Sequence, residues 1–141
     1  MAIEWTRELS VGNEVIDSEH RNLIGFVNDV AHAIWKRDCA ALTQAFEMLE
    51  SCLQAHFANE EKIACAAGFD FSGHKPAQLY SLKELRHMRD ELLAKNGVWA
   101  DGAVEHFTGS LEKWMIDGHI VKLDMQMKPA LQSHPYDFRP T

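Results

Sequence analysis

The chain has 141 residues, of which 46% are apolar and 25% are charged, and its formal net charge is −7. This length fits one domain with a core large enough to fold without a disulfide or a structural metal. The 14 basic residues are scattered along the sequence. We therefore expect neither a nucleic-acid partner nor binding to an anionic membrane surface.

Other sequence features favour a cytoplasmic protein. The first residues contain no apolar h-region, so we expect no signal peptide. No apolar run approaches the ~20 residues that span a bilayer. The three cysteines form no CxxC pair, and we interpret them as reduced thiols rather than metal ligands.

The helical periodicity begins after a short arm. We predict a single domain over residues 1–141, with an extended arm over 1–16, a helical bundle over 17–128 and an irregular tail over 129–141. The first helix is predicted from about Asp17 to Arg37, with Asp17 or Ser18 as its N-cap. The second is predicted from about Asp38 to Ala67, and Gly68 is a suitable stop.

Two more helices follow. Ser72 is the predicted N-cap of the third helix, which extends to about Lys95 and tolerates Pro76 in its first turn. The fourth is predicted to begin after Asp101 and to reach His119. Four amphipathic helices with short connections predict an all-α, antiparallel up-down four-helix bundle.

Polar residues interrupt the apolar inward rows of these helices. His56 and Glu60 are four residues apart, so only ~40° separates their side chains around the second helix. His74 and Gln78 repeat this spacing on the third helix, and His20 lies on the inward row of the first. Buried polar groups are costly unless they are paired or bound to metal.

The fourth helix has a different spacing. His119 and Asp124 are five residues apart, which corresponds to ~140° around a regular helix. Either the helix ends or widens there, with Gly118 beside the irregularity, or the two residues do not act together.

Together these rows supply four imidazoles, two carboxylates and one amide. That is too many ligands for one tetrahedral zinc, and it suits a pair of metals bridged by carboxylates. Iron and manganese both fit the ligand types. The candidate ligands are His20, His56, Glu60, His74, Gln78, His119 and Asp124.

The histidines also allow two alternative interpretations. Glu84 and His87 form one ExxH motif, whereas a ferritin-like di-iron bundle needs two, so that fold is disfavoured. A metal-free interaction bundle is possible only if the inward polar groups satisfy one another. The remaining histidines fall off the inward rows and are predicted to lie at the surface: His32, His87, His106 and His134.

These motifs resemble those of the bacterial hemerythrins over nearly the whole chain. The similarity covers residues 4–12, the segment from Ile16 to His20, His56–Glu61, His74–Gln78 and Trp114–Asp124. It implies a hemerythrin-like domain with two non-haem iron ions bridged by carboxylates and by an oxo or hydroxo group. His20 and His56 would ligate one iron, His74 and His119 the other, and Glu60 and Asp124 would bridge them.

The resemblance also implies a function and one departure from the family pattern. Dioxygen, or another small diatomic or peroxide ligand, would bind at an open position on one iron. An apolar pocket would exclude water, and we expect it to contain Leu23, Phe57, Met115 and Ile116. Gln78 stands where the family has histidine, and an amide oxygen is a weaker donor to iron than an imidazole nitrogen.

Two functional hypotheses follow. The first is a cytoplasmic binding protein that carries, stores or senses dioxygen, and a sensor would need a separate signalling partner. The second is a di-iron redox enzyme that acts on peroxide or nitric oxide because Gln78 leaves the site open. No dedicated proton donor beyond Ser81 and Tyr80 lies near the inward rows, which favours the binding protein.

Overall fold

The computed structural model describes residues 2–140. It contains four long helices, which are α1 (Glu14–Lys36), α2 (Cys39–Ala66), α3 (His74–Ala94) and α4 (Asp101–Lys113). After α4 the chain continues as a π-helix over Trp114–Val121, a 3-10 turn over Asp124–Met127 and a short helix α5 (Lys128–Gln132). Helix α1 packs against α2 and α4, and α3 packs against α2 and the π-helix. The predicted four-helix bundle is confirmed.

The first helix begins earlier than its sequence predicts. Asn13 is the N-cap, and its side-chain oxygen accepts from the backbone N–H of Val15 and Ile16. Asp17, one of the two predicted caps, is instead fully buried inside α1. Ser18, the other, lies within the helix. The predicted caps are therefore wrong, and the arm before the helix is shorter than residues 1–16.

The buried carboxylate of Asp17 joins both ends of the chain to α1. Its Oδ1 accepts from the backbone N–H of Val11 at 2.9 Å, and its Oδ2 accepts from the hydroxyls of Ser10 at 2.5 Å and Tyr136 at 2.8 Å. Nearer the N-terminus, the backbone N–H and carbonyl of Ile3 form two hydrogen bonds with the side-chain amide of Asn28, each 2.9 Å long. These contacts hold the arm against the first helix.

The other helix boundaries differ less from their predictions. Asp38 caps α2 by accepting from the N–H of Ala41, and Gly68 follows α2 in the left-handed region. Helix α3 begins at His74 without a side-chain cap, so Ser72 does not have its predicted role. The tail is not wholly irregular, because Pro129 lies in the first turn of α5, where a proline costs little.

Two hydrophobic clusters form the core. The larger lies between the four long helices and contains Leu23, Leu53, Leu82 and Ile120 among its buried residues. The smaller lies at the other end, where Ile16, Ile63, Phe71 and Met127 pack together. Along each long helical segment of the bundle, the candidate polar residues lie between a residue of the larger cluster and a residue of the smaller one. No helix among the described residues is long and apolar enough to cross a membrane.

Candidate metal centre

Between the two hydrophobic clusters lies a buried polar layer, which we define by seven residues. Each is at most 5% exposed, although four of them are imidazoles and two are carboxylates. The members are His20, His56, Glu60, His74, Gln78, His119 and Asp124. All seven candidate ligands therefore occupy one level of the bundle. Of the four histidines predicted at the surface, three are exposed and His134 is half-buried.

Five members of the layer converge most closely. One ligand atom from each of His20, His56, Glu60, His119 and Asp124 lies within 4.8 Å of every other. Nε2 of His20 is 2.7 Å from Oδ2 of Asp124, and Nε2 of His119 is 3.0 Å from the same oxygen. Nε2 of His56 is 2.6 Å from Oε2 of Glu60. We call this set the three-histidine side.

His74 and Gln78 face the remaining carboxylate oxygens. Nε2 of His74 is 2.8 Å from Oε1 of Glu60 and 3.0 Å from Oδ1 of Asp124. Nε2 of Gln78 donates to Oε1 of Glu60 at 3.0 Å. We call this the glutamine side. His119 thus lies with His20 and His56 rather than with His74, a different grouping from the one that the family resemblance implies.

The π-helix brings His119 and Asp124 together. The backbone N–H of Lys122 donates to the carbonyl of Asp117, five residues earlier, at 2.9 Å. The wider turn, and the end of the π-helix at Val121 before Asp124, interrupt the regular rotation between the two side chains, which lie 3.0 Å apart. Of the alternatives that the spacing left open, the helix thus both widens, with Gly118 inside the wider segment, and ends.

The buried carboxylates of the layer raise the pKa values of two of its imidazoles, those of His56 and His74. Burial lowers the pKa of His56 and His74, but the neighbouring carboxylates outweigh it. The charge of Glu60, the nearby carboxylate of Asp124 and the hydrogen bond to Glu19 hold the pKa of His56 well above its usual value. Hydrogen bonds to Asp124 and Glu60 raise the pKa of His74 to about 9. Both imidazoles therefore hold protons that balance the buried carboxylates at neutral pH.

The pKa values of His20 and Asp124 are both lowered. Burial lowers the pKa of His20 despite its contact with Asp124, so this imidazole stays neutral. Burial opposes ionisation of Asp124, but the nearby imidazoles of His119, His20 and His56 hold its pKa well below its usual range. Asp124 is thus ionised and His20 neutral, as metal ligands must be, whereas His56 and His74 would each release a proton when metal binds.

Several polar atoms of the layer are close to one another without forming hydrogen bonds. Nε2 of His56, Oε2 of Glu60 and Nε2 of His119 are buried and have no hydrogen-bond partner, although nitrogen and oxygen approach within 2.6–3.0 Å. Atoms that are close but not aligned for hydrogen bonding are what ligands around a shared cation would present. The residues therefore fit a metal centre.

Comparison with curated proteins gives relatives that share one name. The chain is 26% identical to a bacteriohemerythrin of Pseudomonas aeruginosa over 114 residues, which are 80% of this chain and 71% of the relative. It is 24% identical to a bacteriohemerythrin of Stenotrophomonas maltophilia over 135 residues, which are 95% of this chain and 84% of the relative. No family model and no solved structure matches the chain.

The chain is bacteriohemerythrin-like. This likeness and the buried His/Glu/Asp cluster together support a hemerythrin-like iron site. The ferritin-like alternative has no support in the structure, because Glu84 and His87 are both exposed.

The candidate ligand pocket of this bacteriohemerythrin-like chain lies around the three-histidine side. Leu23 and Met115 are fully buried in the larger hydrophobic cluster, and Phe57 and Ile116 are partly buried against it. The ring of Phe57 lies 5.6 Å from that of His119 and 6.1 Å from that of His56, measured between ring centroids. Phe57 therefore lies against two of the imidazoles, and the role of the four side chains in ligand binding stays a prediction.

One residue beside the layer was not predicted from the sequence. Glu19 precedes His20 in α1, and its Oε1 accepts a hydrogen bond from Nδ1 of His56 at 2.7 Å. A glutamate next to a histidine gives no local pattern that distinguishes it from a solvated charge. Only the packing of α1 on α2 brings the two side chains together.

Proposed function

We propose that this chain holds two iron ions in the polar layer and binds dioxygen there. The observation that supports two ions rather than one is the arrangement of the carboxylates. Glu60 presents Oε2 to His56 and Oε1 to His74 and Gln78. Asp124 presents Oδ2 to His20 and His119, and Oδ1 to His74. A carboxylate whose two oxygens face different nitrogen ligands suits a bridge between two cations.

The residues of the layer would bind the two ions in two groups. On one side, the imidazoles of His20, His56 and His119 would hold one ion, and on the other, His74 would hold the second with Gln78 beside it. Bound iron would supply the electrons that dioxygen needs in order to bind. The bacteriohemerythrin likeness supports iron over manganese, between which the ligand types do not discriminate.

The surroundings of the layer would protect it from water. Leu23 and Met115 are fully buried, and the ring of Phe57 lies against two of the imidazoles. An apolar shell of this kind limits solvent access and lowers the local dielectric constant. Such a shell favours reversible binding, because it limits side reactions with water and the exchange of protons with solvent.

A redox enzyme acting on peroxide or nitric oxide is the second candidate, and Gln78 is the observation that favours it. The amide donates a hydrogen bond to Glu60 through its nitrogen, which is the end of an amide that cannot bind metal. With the amide so occupied, the glutamine side would have fewer protein ligands than the three-histidine side. A coordination position left to solvent is what turnover of a small oxidant requires.

We further propose that the protein works in the cytoplasm as a carrier, store or sensor, the last with a separate signalling partner. The low count of basic residues and their scatter support the absence of nucleic-acid and membrane partners.

The deciding experiment is to purify the full chain, count iron per chain, and record its absorption spectrum under dioxygen after anaerobic reduction. About two irons, as expected for carboxylate-bridged helical bundles, and a stable visible charge-transfer band would support the carrier. Iron with a band that decays rapidly would favour the enzyme or sensor. Absence of iron would contradict both proposals.

A further inference from the structure

Glu19 connects the first two helices at the rim of the polar layer. Its Oε1 accepts from Nδ1 of His56 at 2.7 Å, and its Oε2 accepts from the side-chain amide of Asn59 at 2.6 Å. The side chain is 21% exposed, whereas that of His56 is 1% exposed. Both oxygens are thus fixed by residues of α2, one inside the layer and one outside it.

The other three imidazoles of the layer have no such contact. Within residues 2–140, Nδ1 of His20, of His74 and of His119 is buried and has no hydrogen-bond partner. His56 alone among the four is anchored through the nitrogen that faces away from the carboxylate cluster. The four rings differ only at Nδ1, because all four Nε2 atoms face Glu60 or Asp124.

A histidine that donates its Nδ1 proton to a carboxylate keeps the lone pair on Nε2 free for a metal. The contact fixes the tautomer and the ring plane, and it makes the imidazole a more basic ligand. The amide of Asn59 in turn holds the carboxylate, so the glutamate does not rotate away from the ring. The chain Asn59–Glu19–His56 therefore sets both the direction and the donor strength of one ligand.

We propose that Glu19 is a positioning residue that orients His56 and makes the three-histidine side the stronger metal donor. The proposal rests on the metal site under Proposed function and adds a residue outside the predicted ligand set. It implies that the two sides differ in more than the glutamine. Metal on the three-histidine side is held more tightly, and its oxidised state is favoured over that on the other side.

Two variants separate position from charge. Glu19→Gln keeps an oxygen that accepts from His56 but removes the charge, whereas Glu19→Ala removes both. Glu61→Gln is the matched control, because Glu61 is on α2 beside the layer, pairs with Lys75 at 3.2 Å and touches no layer histidine. The probes are zinc, which undergoes no redox chemistry, and iron.

The first measurements are the zinc affinity of the full chain and the state of His56 by nitrogen-15 NMR, which reports its tautomer in the zinc-bound chain and its Nδ1 proton in both forms. We expect Glu19→Ala to bind zinc about 10–100-fold more weakly, as is typical for loss of such a contact. Glu19→Gln should lose less, and Glu61→Gln should match the wild type. A hydrogen-bonded Nδ1 proton on His56 should be present in the wild type and absent in Glu19→Ala, with or without zinc.

The second measurement is the reduction potential of the iron-loaded protein. It should rise in Glu19→Gln and stay unchanged in Glu61→Gln, because only the first variant weakens a ligand. Equal shifts in the two variants, or unchanged zinc affinity in Glu19→Ala, would overturn the proposal.

Failure of the metal site itself is distinguishable from failure of this inference. If the chain bound neither zinc nor iron, the proposed function would fall, and the NMR signal of the metal-free chain would still report whether Glu19 fixes His56. If the chain bound both metals and His56 had the other tautomer, only the inference about Glu19 would be wrong.

Discussion

On the three-histidine side, imidazoles from α1, α2 and the π-helix surround one oxygen of each carboxylate, and one of these rings is anchored by Glu19. The glutamine side offers one imidazole and one amide, both from α3. The two sides share the same two carboxylates, so their difference arises from the imidazoles, the amide and Glu19. If the layer holds two metal ions as proposed, single residues on different helices would adjust the two positions separately.

Loss of the shared carboxylate should have the largest effect on both sides. Asp124→Asn keeps the size of the side chain but removes the charge that faces His20, His119 and His74. Breaking a buried ion pair costs about 3–5 kcal/mol, so we expect metal affinity to fall by more than about 100-fold. The check is iron per chain after dialysis. Asp117→Asn, at an exposed position of the π-helix, should retain its iron.

Single substitutions on either side should have unequal effects. We expect His56→Ala to weaken zinc binding by more than about 100-fold and Gln78→Ala by less than about tenfold, because an amide is the weaker ligand. Isothermal titration of the two variants measures both losses. Equal losses would mean that the amide of Gln78 binds metal as strongly as an imidazole, and the contrast between the sides would be wrong.

The metal-free chain should lose stability as the pH rises. The folded pKa of His74 is raised to about 9, above the value of 6.5 in an unfolded chain. Its stabilising contribution is complete below pH 6.5 and is lost as the pH rises through 9. His56, whose pKa is also raised, acts in the same direction. We therefore expect the free energy of unfolding to fall between pH 6.5 and 9.

Urea unfolding in the presence of a chelator measures this dependence. Bound metal takes the place of the imidazole protons, so the metal-loaded chain should show a weaker fall over the same range. At lower pH the opposite effect of His20, which is buried in its neutral form, should reduce the gain. A flat profile from pH 6.5 to 9 in the metal-free chain would contradict the assigned protonation states.

Restoring a histidine on the glutamine side should have the smallest effect. Gln78→His adds an imidazole beside His74, and we expect autoxidation under dioxygen to slow several-fold because solvent loses access to that position. The decay of the visible band measures the rate. Gln54→His places the same change at an exposed position of α2 and should leave the rate unaltered. If Gln78→His also left it unaltered, Gln78 would not lie at the metal.

The sequence was sufficient to predict the four helices and the seven residues of the polar layer, because periodicity determines which side chains face inward. It did not identify the cap of α1. Asp17 and Ser18 are ordinary cap residues, and only the fold reveals that Asp17 accepts from Tyr136, 119 residues away. Pro129 is the first residue of the predicted irregular tail, although a proline is equally suited to open a helix.

The side of the layer on which each ring lies was beyond sequence reasoning. The spacing of His119 and Asp124 indicated an irregular helix but not how far it rotates the ring. Glu19 was missed for a related reason. Its partner belongs to another helix, and the contact depends on the rotation of α1 against α2, which no local pattern specifies.

The π-helix has a consequence for how the chain tolerates a change of length. Deleting Gly118 would let Trp114–Val121 close into a regular α-helix, which has better backbone geometry than a π-helix. The same deletion would turn each preceding side chain ~100° relative to His119 and shift it ~1.5 Å along the axis. The shortened protein would gain a more regular helix, and His119 and Asp124 would turn together relative to the buried face of α4. The π-helix is thus a local cost in stability on which the position of these two side chains depends.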